Sequence, residues 1–406
     1  MNEKPAYYHF ILFIIIYFFL NNAFLPHGLL YTTLLAPVFL YWLYKKKQWP
    51  VLLKWSVLLV IPIPFQLLAG IDFRTYLVST ILVITAWVFL FTALEGVRTF
   101  KVHLENIFYK VLLVNFILLV VALIILPLSP IRDLMWDSEP MSSNLSSFPR
   151  LKLLAYEPSH YALLLSPVFL FFILKVILGQ ADHPLVLAGG ILAPLVLSFS
   201  FGVIGAIILA MAASMFINFR FLPRNARRIV IYSSGFLILF ALALWLFWPE
   251  NLLFLRIKNI LTGADSSAKG RLAHSFMFAK DLIIQHRAWL GVGPGQVKIP
   301  AHDLIVNYYH YSGHYAEVVR IPNSMGEMLA TYGLYGFVLK IFFEIYFFIR
   351  LKIYRNLYSF LLFLFLFIYQ FTGSFLVNAA EIGTWAIVYI SRFKNFELDH
   401  LMASKT

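Results

Sequence analysis

The sequence predicts an all-α polytopic integral membrane protein of about 12 transmembrane helices with two large external loops. Three observations predict it. Apolar residues make up 61% of the chain and charged residues 13%, with a mean hydropathy of +0.82, where soluble domains carry about 25% charged residues. The apolar residues fall in consecutive segments near the roughly 17–25 residues that cross a bilayer as helix. Lysine and arginine collect in alternate connections between those segments.

Taken in order, the expected spans lie near 8–24, 29–44, 51–69, 74–95, 106–128, 158–178, 185–200, 202–218, 229–248, 323–349, 356–373 and 377–391. The first follows Lys4 and ends in "NNAFLPHG", which lacks a small-residue cleavage site and so reads as an uncleaved span. The pairs within 185–218 and 356–391 are short, and either could include a re-entrant element buried in protein. Lys45, Lys46 and Lys47, then Arg98 and Lys101, Lys175, Arg220 to Arg228, Arg350 to Arg355, and Arg392 with Lys394 mark one side. By the positive-inside rule that side is cytoplasmic, as are both termini.

The net charge of +13 follows that bias. No basic stripe with interleaved aromatics argues for nucleic acid. Cysteine is absent, which removes thiolate chemistry and cysteine metal ligation. The spans hold few ionisable residues. Lys340 and Glu344 are i,i+4 partners, and without midplane carboxylates or histidine relays a coupled transporter is disfavoured. The whole of 1–406 is thus one integral domain, with its chemistry in the third external loop, 129–157, and the fifth, 249–322.

The third loop ends in "FPRLKLLAYEPSHYALLLSP". Pro158 suits the first position of a helix and disfavours helical geometry for Glu157, which places Glu157 at the cap and His160 one turn on. A carboxylate there can serve as an N-cap, or it can take a proton from a hydroxyl at the membrane boundary. Arg150 offers a fork that matches phosphate oxygens. Tyr156 and Ser159 flank the same mouth.

In the fifth loop, Leu272, Phe276, Ala279, Leu282 and Ile283 recur at helical spacing, which predicts an amphipathic helix at the interface. Arg271 and His274 sit near its start and Arg287 follows its end. Basic groups at headgroup level suit a lipid-linked diphosphate or ordinary anionic lipid. "GVGPGQ" is not a dinucleotide fingerprint and reads as a turn. His314 lies in an aromatic stretch, "NYYHYSGHYAEVVR", of the kind that stacks on sugars or populates membrane interfaces. In "RIPNSMGEMLATYGLYG", Ser324 and Glu327 form a capping box, leaving Arg320 and Asn323 freer to contact a ligand.

With its large third and fifth external loops, "R…YEPSHYALL", "GRL…GVGPG" and "PNSMGEMLATYGLYG", the chain resembles bacterial Wzy-type polysaccharide polymerases, grouped with O-antigen ligases among GT-C-like membrane glycosyltransferases. The topological likeness covers most of the chain, and the motifs cover about 150–167, 271–295 and 320–336. The resemblance implies an inverting, metal-independent transfer of lipid-linked repeat units, with undecaprenyl-diphosphate oligosaccharides as donor and acceptor and no cofactor. It also implies residence in a bacterial cytoplasmic (inner) membrane and contact with membrane lipid and with a chain-length regulator. It makes Glu157, His160 and Asn323 candidates for catalysis and Arg150, Arg271, Arg287 and Arg320 for holding diphosphate. Tyr156, Ser159, His274 and His314 become candidates for contacting substrate. Where the ligase branch has a His-Asn pair, this chain has Pro322-Asn323, which weighs toward polymerase. The alternatives are a ligase-type glycan transferase and a flippase or exporter of lipid-linked oligosaccharide.

Overall fold

A computed structural model describes residues 3–25, 29–68, 70–129, 131–138, 149–262, 266–286, 288–309 and 319–403. Among them the architecture is helical: α1 (Glu3–Phe19), α2 (Tyr31–Leu34), α3 (Ala36–Lys45), α4 (Trp49–Val60), α5 (Ile63–Leu68), α6 (Phe73–Phe100), α7 (Leu104–Ile125), α8 (Pro158–Ile177), α9 (Pro184–Ser198), α10 (Phe201–Ile217), α11 (Arg224–Phe247), α12 (Leu252–Leu261), α13 (Ser266–Lys269), α14 (Ser275–Gln285), α15 (His302–Tyr309), α16 (Ser324–Arg350), α17 (Leu357–Tyr369), α18 (Ala379–Ile390) and α19 (Leu398–Ala403). The strands described are β1 (Trp136–Asp137) and β2 (Arg150–Leu151), which pair antiparallel within 129–157.

Five helical runs among the described residues are long and apolar enough to cross a membrane: Trp49–Leu68, Phe73–Ile125, Pro158–Ile177, Arg224–Phe247 and Ser324–Arg350. Phe73–Ile125 contains both α6 and α7 and has the length for two passes. Shorter apolar helices occupy most of the other expected spans. The 13 residues of α17 and the 12 of α18 reach only about 20 Å each, against a hydrocarbon core of about 30 Å. Both are buried along most of their length and joined by a turn at 370–378.

Burial separates a centre from a periphery. Along α8, 83% of the apolar window is buried, and along α11 none of it is. An all-round apolar helix belongs inside a bundle or against lipid, and these two occupy those extremes. The main core joins α8 to α1, α6, α7, α10, α17 and α18 through large aromatics such as Phe108, Phe171 and Tyr358. Pro167 lies inside α8, and its carbonyl accepts the Tyr358 hydroxyl at 2.9 Å. A second apolar cluster lies under the fifth loop, where Phe278, Ala279 and Leu282 pack with Val297, Ile305, Val319 and Ile321.

The α14 stripe is shifted from the expected one. Leu272 is exposed, while Ser275, Phe278, Ala279, Leu282 and Ile283 are buried. The cause is a π-helical segment at Gly270–His274, whose wider turn changes the phase of the face that follows. The buried face packs against α16.

"GVGPGQ" is a turn, as expected, and its partner is a break in α16. Gly333 interrupts that helix at φ 63°, ψ −160°. The break frees the carbonyls of Ala330 and Thr331, which accept the N–H groups of Val292 and Gly293 at 2.9 and 3.0 Å. A Cβ on Gly333 would lie 2.0 Å from the Trp289 carbonyl oxygen, so both the conformation and the approach require glycine. Gln66 completes the joint by donating to the carbonyls of Leu290 and Thr331, each at 3.0 Å.

Candidate functional site

Glu157, Ser159, His160, Arg271 and Arg320 line one cavity together with Leu163, Pro322, Tyr369, Gly373, Ser374, Phe375 and Asn378. A further cavity among Phe10, Phe13, Tyr17, Phe89 and Phe108 is apolar and offers little that could do chemistry.

The α8 mouth explains two of these residues. Glu157 has the extended backbone of an N-cap, and Pro158 is the first helical residue. Its carboxylate makes no capping hydrogen bond, however, and accepts the Ser159 hydroxyl instead. The capping role open to Glu157 is therefore not the one adopted. His160 is 98% buried and neither ring nitrogen has a hydrogen-bond partner. Buried imidazoles are ordinarily satisfied, so this one, lining a cavity, is open to a bond with water or with a bound molecule. Tyr156 tilts against its ring at 4.6 Å between centroids. Burial pushes the Tyr156 hydroxyl well above the usual phenol range, with the Glu157 charge adding to the effect.

Arg271 sits within the π-helical segment. Its guanidinium stands beside Tyr369 and the first turn of α10, with Nη1 3.5 Å from where a Cβ on Gly202 would be. Arg320 is exposed and lies over the Phe375 ring at 5.4 Å. The lining thus holds two guanidiniums against one carboxylate, and the N-termini of α8 and α18 open on it through Glu157 and Asn378. Guanidiniums and helix starts both favour an anion.

Asn323 is placed differently from the expectation of freedom. It is fully buried and is the N-cap of α16, its Oδ1 accepting the Gly326 N–H at 2.5 Å. Its Nδ2 donates to the carbonyls of Arg271 and Phe371, the latter at 3.1 Å. Every polar atom of the side chain is engaged, so it anchors Arg271 and the 370–378 turn and is not among the lining residues. The expected Ser324–Glu327 capping box is corrected by the same observation. Ser324 donates its N–H to the Gly373 carbonyl at 3.0 Å, and Glu327 accepts the Leu376 N–H at 2.7 Å.

Arg150 is also elsewhere. The β1–β2 register sets Asp137 directly opposite it, and the two form an ion pair away from the cavity lining. His274 packs edge-on to Tyr308 at 4.4 Å and is not in the lining. Arg287 and His314 lie outside the described residues. Among the described residues no group of three or more His, Asp or Glu is spaced to hold a metal ion.

Sequence reasoning missed the "YQFTGSFLVN" segment, which supplies Tyr369, Gly373, Ser374, Phe375 and Asn378. Thr372-Gly373-Ser374 followed by the cap residue Asn378 is a turn-and-restart signal that could have marked it. No protein-family model matches the chain, and no curated protein is significantly similar to it.

The arrangement can hold an anion between Arg271 and Arg320, beside an acceptor carboxylate and an unpaired imidazole. Preorganised cations of this kind stabilise negative charge that develops on a leaving group. A carboxylate or imidazole can accept a proton from a hydroxyl placed beside it.

Proposed function

We propose that the chain is a membrane glycosyltransferase, a polysaccharide polymerase that joins undecaprenyl-diphosphate-linked repeat units into O-antigen, capsule or exopolysaccharide. The transfer takes place on the outer face of the bacterial cytoplasmic membrane, with both termini cytoplasmic, and inverts the anomeric centre. The observation that carries this reading is the gathering of Glu157, His160, Arg271 and Arg320 around one cavity from segments far apart in sequence.

In this reading Arg271 and Arg320 hold the diphosphate of the donor. Bond formation from the acceptor hydroxyl to the anomeric carbon releases undecaprenyl diphosphate, whose growing charge the guanidiniums stabilise. Glu157 or His160 receives the hydroxyl proton. Ser159 orients the Glu157 carboxylate and Tyr156 supports the His160 ring. Confinement of two lipid-tethered substrates beside one cavity reduces the entropy cost of their meeting.

The test is complementation of a strain lacking the gene. Arg271→Ala and Glu157→Gln are expected to leave lipid-linked material at a single repeat unit with normal protein levels. Full-length polymer from both variants would overturn the assignment. A deletion strain with no repeat unit attached to the final acceptor, where loss of a polymerase leaves one, would point to the ligase reading, and substrate trapped on the cytoplasmic side would point to a flippase.

A further inference from the structure

Beneath the cavity lies a charged cluster that the chemistry above does not use. Lys340 and Glu344 are i,i+4 partners on α16 with an N–O distance of 3.0 Å, and Lys340 also reaches Glu381 on α18 at 3.1 Å. Glu344 accepts the side-chain N–H of Gln370, the residue that follows α17, at 2.8 Å. Glu344, Glu381 and Gln370 are each at least 95% buried. The Trp385 indole donates to Glu381 at 3.4 Å, and its ring lies 6.0 Å from the Lys340 ammonium.

Stability alone does not account for this cluster. Ionisable groups inside a membrane bundle are costly, and a buried ion pair can often be replaced by apolar residues at no loss. The two carboxylates reach a common structure. Gln370 begins the turn between α17 and α18, and Glu381 lies in the first turn of α18 just beyond Asn378, which ends it. Lys340 is therefore a crosspiece between the two feet of the loop that carries Gly373, Ser374, Phe375 and Asn378 into the cavity. From the opposite side, Asn323, Ser324 and Glu327 hold the same loop through Phe371, Gly373 and Leu376.

We infer that Lys340, Glu344 and Glu381 are positioning residues that fix the 370–378 turn as one wall of the cavity, so that Tyr369 and Arg271 meet the substrate in register. The turnover part of this inference rests on the glycosyl-transfer reading, and the geometric part does not. Because the chain contains no cysteine, a single Ser374→Cys substitution reports the turn without background.

The experiment compares purified Ser374→Cys protein in lipid nanodiscs with and without Lys340→Met, Glu344→Gln and Glu381→Gln together. This combination keeps side-chain volumes and leaves no buried charge unpaired. The rate at which a charged maleimide labels the introduced thiol is measured alongside turnover of a synthetic lipid-linked repeat unit in the same backgrounds with Ser374 retained. The neutral combination is expected to label several-fold faster and to lose about 10²-fold in turnover with little change in KM, the cost of an ångström-scale misplacement. Glu381→Gln alone, which leaves one cation against one carboxylate, carries the comparison in a charge-balanced background. Parental labelling and turnover in the neutral combination would overturn the inference, and so would lost turnover with unchanged labelling. If the parent fails to turn over substrate, the glycosyl-transfer reading falls while the labelling comparison still judges the cluster.

Discussion

Asn323 gives the sharpest prediction, because the same side chain would behave oppositely as a catalytic acceptor and as an anchor. It caps α16 through Gly326 and donates to the carbonyls of Arg271 and Phe371 in a fully buried setting. Truncation to alanine removes a cap worth about 1 kcal/mol and leaves two buried carbonyls short of a donor, at about 1–3 kcal/mol each. The expected loss is about 3–7 kcal/mol, the lower figure applying because both bonds are only part-buried and water can reach the carbonyls. Asn323→Asp keeps the cap but turns a second oxygen toward both carbonyls, so it should be no better than Asn323→Ala. Asn323→Ser, which keeps a capping oxygen, should be the mildest. Thermal unfolding of the purified variants in detergent measures the order, and turnover should follow it because Arg271 moves with its carbonyl. An Asn323→Asp protein with near-parental stability and turnover would refute this reasoning and make the residue an acceptor toward substrate.

Other expectations are simpler. Arg271→Ala should lower turnover by about 10²–10³-fold, the usual cost of one preorganised charge donor, and Arg271→Lys should recover only part, since lysine lacks the fork. Gly333→Ala should abolish folded protein, because its Cβ would meet the Trp289 carbonyl oxygen at 2.0 Å, whereas Gly202→Ala should fold normally, with 3.5 Å to Arg271; expression and size-exclusion profiles separate the two. Burial and then the Lys269 charge hold His274 below the usual imidazole range. Its neutral form is therefore favoured by folding, and the associated stability is present above about pH 6.5 and lost as pH falls below it. Melting curves of parent and His274→Gln should converge at high pH and separate with acidification, in favour of the variant.

The helical membrane class was legible because composition and long apolar segments are properties of the chain itself. Pro158 likewise announced the start of α8, since its ring constrains the backbone on both sides of it. The union of Glu157, Ser159 and His160 with Arg271 and Arg320 was legible as chemistry and not as geometry. Their segments meet through tertiary contacts, among them the Asn323 bonds to the Arg271 and Phe371 carbonyls, that no local pattern encodes. Arg150 misled because an arginine in a loop carries no sign of the aspartate that a two-residue strand pairing sets opposite it. Glu381 escaped notice for a related reason: its partners Lys340 and Trp385 come from α16 and from one turn farther along α18. The short α17 and α18 looked like weak spans, and their shortness is what brings the 370–378 turn to the cavity.

The most direct measurement is turnover by the purified protein. Parent, Glu157→Gln and Arg271→Ala, each reconstituted in lipid nanodiscs, are incubated with a synthetic undecaprenyl-diphosphate repeat unit, and the products are resolved by gel and mass spectrometry. Parent protein should release undecaprenyl diphosphate and build a ladder of inverted linkages, while both variants leave the repeat unit unjoined. A parent that forms no linkage with its cognate repeat unit, or variants that build the same ladder, would contradict the account.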